Sequence, residues 1–137
     1  MKCRRLLVHV EGQTEETFVN EVLATHLLAK GYKRVNARLL GNARLRSHRG
    51  GIRSWSSARE DIIKHLRQDQ GCLATTLVDY YGLPQTGEGA WPGRAQAGKP
   101  LTPSEKALCV ERALIEDLAH ENIDTRRFIP FIIMHEF

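Results

Sequence analysis

The chain has 137 residues, 42% of them hydrophobic and 26% charged, which is the balance of a water-soluble folded domain and excludes a disordered or fibrous one. No apolar run approaches the ~20 residues of a membrane-spanning helix, and the opening MKCRRLLVHVEGQTEE turns acidic too soon for a secretory leader. The net charge is +4, and Cys3, Cys72 and Cys109 are odd in number and widely spread, so a disulfide framework and a structural zinc site are both disfavoured and a reducing cytoplasm is expected.

Residues 5–10 (RLLVHV) form an apolar run that predicts a buried strand. Residues 14–30 predict a helix: Thr14 can cap it, Glu15 and Glu16 suit its positive end, and Phe18, Val22, Leu23 and Leu27 recur near helical spacing, with Gly31 as the stop. A weaker strand over 35–40 leads into NARLRSHRGGIRSWSS, which no hydrophobic period organises. Residues 57–70 predict a second helix with Ile62, Ile63 and Leu66 inward and Gly71 beyond its end, and 72–81 (CLATTLVDYY) a third strand. Residues 82–100 hold five glycines and three prolines, too many for an element interior. This stretch and 42–56 are therefore expected to be the most mobile parts of the chain. A third helix follows over 102–121, capped by Ser104 or Thr102, then a fourth strand over 128–134 (FIPFIIM) that Pro130 pushes to a late start or a sheet edge.

The order βαβαβαβ predicts an α/β fold in one domain over 1–137: a mostly parallel four-stranded sheet with helices on both faces. Such sheets bind ligands at the carboxyl ends of their strands. Three acids fall there: Glu11 after the first strand, Asp79 at the end of the third and Glu136 after the fourth. Carboxylates converging on one edge make a hard, oxygen-rich site of the kind that holds Mg²⁺ or Mn²⁺ beside a phosphate. Gly12 and Thr14 follow at once, where bare backbone and a helix start could meet a phosphate oxygen. The plainer reading makes Glu11 a helix-dipole partner and Asp79 a turn residue bonding its own backbone.

Nine of the twenty basic residues lie between Glu21 and Glu60, where there is no acid. Such a block is often only a solvated surface. Here Arg44, Arg46, Arg49 and Arg53 sit in an irregular segment suited to phosphate oxygens, with Arg94 and Lys99 as further contacts. Trp55 and Trp91 fit the rim of the core better than a base-stacking role. His135 neighbours Glu136, where packing and proton transfer are equally open to it. No phosphate-loop motif and no dinucleotide fingerprint occurs, which leaves a small-molecule cofactor enzyme poorly supported.

LLVHVEGQTEETFV and LVDYYGLP resemble the two acidic motifs of the Toprim fold, the catalytic domain of topoisomerases, primases and overcoming-lysogenization-defect nucleases. VEGQTEE, VDYYGLP and FIIMHEF together resemble a bacterial Toprim-like family known as domain-of-unknown-function family 4276, over almost the whole chain. The resemblance implies that Glu11 matches the Toprim glutamate and Asp79 the first aspartate of its D-x-D pair, with Tyr81 at the second; strand order, not the resemblance, offers Glu136 as the missing ligand. It also implies a chain lacking its carboxyl-terminal portion, since the family continues past HEF where this chain stops at Phe137. The expected function is a Mg²⁺- or Mn²⁺-dependent nuclease or other phosphoryl-transfer enzyme, with Glu11, Asp79 and Glu136 catalytic. Its expected partners are nucleic acid, by analogy an ATPase subunit in phage defence, and a second copy of the chain, with no membrane. The alternative is a non-catalytic Toprim-like module that binds nucleic acid or protein.

Overall fold

A computed structural model describes residues 4–40, 54–96 and 101–134. Strand β1 (Arg5–Val10) is buried along almost all its length, as a central parallel strand covered on both faces must be. Helix α1 (Gln13–Phe18) runs through a π-helical turn (Val19–Leu23) into α2 (Ala24–Ala29). Gly31 ends this stretch at φ +111°: its N–H donates to Leu28 O at 3.2 Å and that of Tyr32 to Leu27 O at 3.2 Å, the paired bonds of a Schellman stop. Strand β2 (Arg34–Leu39), helix α3 (Trp55–Gln68), strand β3 (Cys72–Asp79) and helix α4 (Pro103–Leu118) follow. Helix α3 starts two residues earlier than its pattern suggests, because Ser54 Oγ accepts the Ser57 N–H at 3.3 Å and so sets the cap. Helix α4 begins with a full capping box: Thr102 Oγ1 accepts from Glu105 N at 3.2 Å, and Glu105 Oε1 from Thr102 N at 2.8 Å.

The fourth strand is two short ones, β4 (Phe128–Ile129) and β5 (Ile132–Ile133), both parallel to β3. Pro130 interrupts the ladder, and the Thr76 hydroxyl bridges the gap, donating to Phe131 O at 2.8 Å and accepting from Phe131 N at 2.9 Å. All described strand pairs are parallel, in the order β2-β1-β3-β4. From β1 the chain crosses to β2 on one side, then returns past β1 to β3 and on to β4. Right-handed crossovers in opposite directions put their helices on opposite faces. Accordingly Phe18, Val19, Leu23, Ala24 and Leu27 pack over Leu6, Val8, Val35, Leu73 and Leu77. On the other face Ile62, Leu66, Val110, Leu114 and Leu118 pack over Leu7, Ala74, Val78 and Phe128.

Residues 82–96, expected to be mobile, are pinned to this second face. Leu83 and Trp91 are buried, Trp91 packs its ring 4.9 Å from that of Trp55, and Trp55 Nε1 donates to Asp117 at 2.7 Å. Gly93 passes so close to α4 that a Cβ would lie 2.8 Å from Cys109 O, at a φ of +82°. Residues 41–53 and 97–100 lie outside the described residues.

Candidate active site at the carboxyl edge

Crossovers that part in opposite directions open a crevice at the carboxyl ends of the strands between them, here β1 and β3. Val10 is in register with Leu77, so Glu11 and Asp79 leave the sheet at this one edge from hydrogen-bonded neighbours. Both are half-buried. Asp79 also pairs with Ile133 of β5, so β5 ends at the same edge; Glu136 and His135 lie outside the described residues. Asp79 Oδ1 accepts the Tyr81 N–H at 3.2 Å and caps the short 3₁₀ turn Tyr80–Gly82, while Tyr81 projects into solvent. That bond is the turn-residue geometry, and it engages one carboxylate oxygen. Among the described residues no group of three His, Cys, Asp or Glu is gathered as a metal cluster.

The helix start beside Glu11 differs from expectation. Gly12, not Thr14, takes the cap position of α1, in extended backbone. Glu15 Oε1 reaches back to accept the Gly12 N–H at 3.1 Å, so the amide expected to meet a phosphate already has an acceptor. Thr14 is an exposed residue of the first turn.

The basic residues divide in two. Arg44, Arg46, Arg49, Arg53 and Lys99 lie outside the described residues. Arg94, expected to grip a nucleic-acid backbone, is 7% exposed. Its Nε donates to Tyr80 O at 3.0 Å, its Nη1 to Tyr80 Oη at 3.2 Å, and its guanidinium lies 4.0 Å from the centre of the Tyr80 ring. Arg94 therefore fastens residues 82–96 to the end of β3, and its burial removes it from the phosphate contacts. Arg59, from the same acid-free block, is held by Asp117 and Glu121 at 2.7 Å each, and these carboxylates raise its pKa.

A polar cluster that the sequence does not announce lies on the α3 face of β1. His9, wholly buried between Val8 and Val10, places Nδ1 3.2 Å from Thr75 O and Nε2 2.9 Å from His65 Nδ1. Burial, then the neighbouring His65 ring, lower its pKa to about 3. Burial also lowers that of His65. Beside the pair, Arg5, Leu7, Arg38, His65, Gln68 and Asp69 line a cavity of about 360 Å³. The one clue in the sequence is a histidine inside an otherwise apolar strand, and its partner is 56 residues away.

The family described as Domain of unknown function (DUF4276) matches residues 10–137 of the chain. No curated protein and no solved structure matches it. No described helix is long and apolar enough to cross a membrane.

Proposed function

The chain belongs to the DUF4276 family, and from its own residues we propose a Toprim-type, divalent-metal-dependent nuclease or related phosphoryl-transfer enzyme acting on nucleic acid. The observation that carries this reading is the departure of Glu11 and Asp79 from adjacent parallel strands at the edge where the crossovers part. Such a pair suits Mg²⁺ or Mn²⁺, which takes one or two hard carboxylates and completes its shell with water and substrate phosphate. The Tyr81 N–H orients Asp79 through Oδ1 without neutralising it, and Glu136 would be the third ligand. When bound, the cation would supply charge neutralisation at the phosphate and a more acidic water. The protein's part is to fix both acids on strand ends, with Arg44, Arg46, Arg49, Arg53 and Lys99 along the nucleic-acid backbone. An ATPase partner in phage defence and self-association rest on the Toprim analogy alone.

A second reading, a non-catalytic module that binds nucleic acid or protein, is favoured by one observation: Tyr81 stands beside Asp79 where a second acid would complete the pair, and Asp79 already has a capping bond. The two readings part in a cleavage assay on single- and double-stranded DNA and RNA with Mg²⁺, Mn²⁺ or chelator. The enzyme gives products only with metal, and Asp79→Asn or Glu11→Gln lowers the rate by at least about 100-fold. Metal-independent binding without products, or cleavage untouched by both substitutions, supports the module instead.

A further inference from the structure

The cavity beside His65 lies away from the carboxylate edge, over the amino-terminal half of β1 and the end of α3, and its chemistry is independent of Glu11 and Asp79. We propose that it is a second site, one that binds a terminal phosphate group, with Arg38 and His65 as its ligands.

The hydrogen bonds fix the tautomers. Thr75 O can only accept, so His9 Nδ1 carries a proton and donates to it. A wholly buried imidazole stays neutral, which leaves His9 Nε2 a bare lone pair. That lone pair must accept from His65 Nδ1–H at 2.9 Å. The relay therefore anchors one nitrogen of His65 and leaves its Nε2 as the atom able to meet a ligand. His9 acts here as a positioning residue, fixing the ring as a carbonyl or carboxylate does in other oriented histidines.

The rest of the lining is net cationic, with Asp69 as its one carboxylate, paired with Arg5. Arg5 is paired, donating to Asp69 Oδ2 and to Asn36 Oδ1 at 3.4 Å each. Arg38 has no carboxylate partner among the described residues; its only bond there is Nη1 to the neighbouring Ala37 O at 3.3 Å. Arg38 is also in register with His9 across β1 and β2, so its charge faces both histidines. A half-buried guanidinium with no carboxylate partner among the described residues suits a phosphate ligand. The Gln68 side chain adds an amide at the rim. The cavity is at the small end of ligand pockets, enough for a phosphate and part of what carries it.

Binding then couples to a proton. Neutral His65 offers only an acceptor at Nε2, so a fully ionised phosphate is met only when a proton is taken up there, while a monoprotonated phosphate brings that proton itself. The charges around His65 are Arg5 from β1, Arg38 from β2, Asp61 and Lys64 from α3, and Asp69 just beyond α3 in the same cavity lining, with neutral His9 behind it. Arg38, Lys64 and Arg5 oppose protonation in the empty site, and Asp61 favours it. A bound phosphate offsets the opposing cations, so affinity rises as pH falls from alkaline values, where neither His65 nor the phosphate carries the shared proton.

The test follows the His65 ring proton by NMR against pH, with inorganic phosphate or an equal ionic strength of chloride. Phosphate shifts the resonance saturably and moves its titration midpoint upward, and Arg38→Gln weakens the effect at least about tenfold, as removal of one charge-assisted hydrogen bond should. A 5′-phosphorylated dinucleotide produces the same shift as inorganic phosphate, and the unphosphorylated dinucleotide does not. A midpoint identical in phosphate and chloride for the unaltered protein overturns the proposal, whatever the variant does. A shift produced equally by the unphosphorylated dinucleotide overturns the assignment to a terminal phosphate.

Discussion

His9 puts an ionisable ring where no water reaches it, and burial above all holds its pKa near 3 against an ordinary 6.5. The folded chain thus carries fewer protons at this site than the unfolded chain between those two values. Stability is full above 6.5 and falls as pH drops toward 3, with a limiting slope of about 1.4 kcal/mol per pH unit from this residue. His65, shifted the same way, steepens the upper part of the window. Urea midpoints between pH 7 and pH 4 should fall in the parent and fall less in His9→Gln; equal slopes would mean that His9 is protonated in the folded state. The edge positions of Glu11 and Asp79 were legible in the sequence because both stand at the ends of apolar runs that read as strands. The fates of Arg94 and the His9–His65 pair were not, because each depends on a partner far along the chain or on burial that no local period encodes.

At the scale of elements, helix existence followed from apolar spacing, while helix starts followed from single hydrogen bonds. Of the two caps that the pattern allowed for the last helix, Ser104 and Thr102, it is Thr102 that takes the position, with Glu105 closing on it. Thr14 looks like a cap, but Gly12 is the residue with extended backbone, and Glu15 closes on it. Residues 82–96 are rich in glycine and proline yet are held by Trp55–Trp91 packing and by Gly93 against α4, neither of which composition can show. Pro130 pointed to a late start or a sheet edge, and the last strand does lie at the edge, but its split into β4 and β5 was not legible. Nor could Pro130 announce that Thr76, 55 residues earlier than Phe131, would take over the ladder there. Thr76→Val keeps the shape but strands the Phe131 N–H and carbonyl, which costs about 1–3 kcal/mol in urea unfolding. A change below about 0.5 kcal/mol would mean that water satisfies Phe131 equally well.

For the molecule as a whole, the alternation of strands and helices was legible, and so was their parallel pairing. Strand order was not: the pattern cannot say on which side of β1 each later strand lands. That order matters most, since the reversal between β2 and β3 opens the carboxyl edge between Glu11 and Asp79. The basic block carries the complementary expectation. If Arg44, Arg46 and Arg49 neutralise phosphates, changing all three to Ala weakens binding equally for all sequences and lowers the log–log salt slope by about one unit for each phosphate left unneutralised. An unchanged slope would place the block against solvent or a protein partner.

The claim that Glu11 and Asp79 jointly hold a divalent cation is tested most directly by calorimetric titration of Mn²⁺ into the parent, Glu11→Gln and Asp79→Asn, each with and without a non-cleavable oligonucleotide. Two carboxylates leave most of the shell to water and phosphate, so binding to the parent alone should be weak and should tighten when the strand is present. Each substitution should remove most of that binding in both conditions. Equal Mn²⁺ affinity in all three proteins, with and without the strand, would contradict the account and leave these acids as a helix-dipole partner and a turn cap.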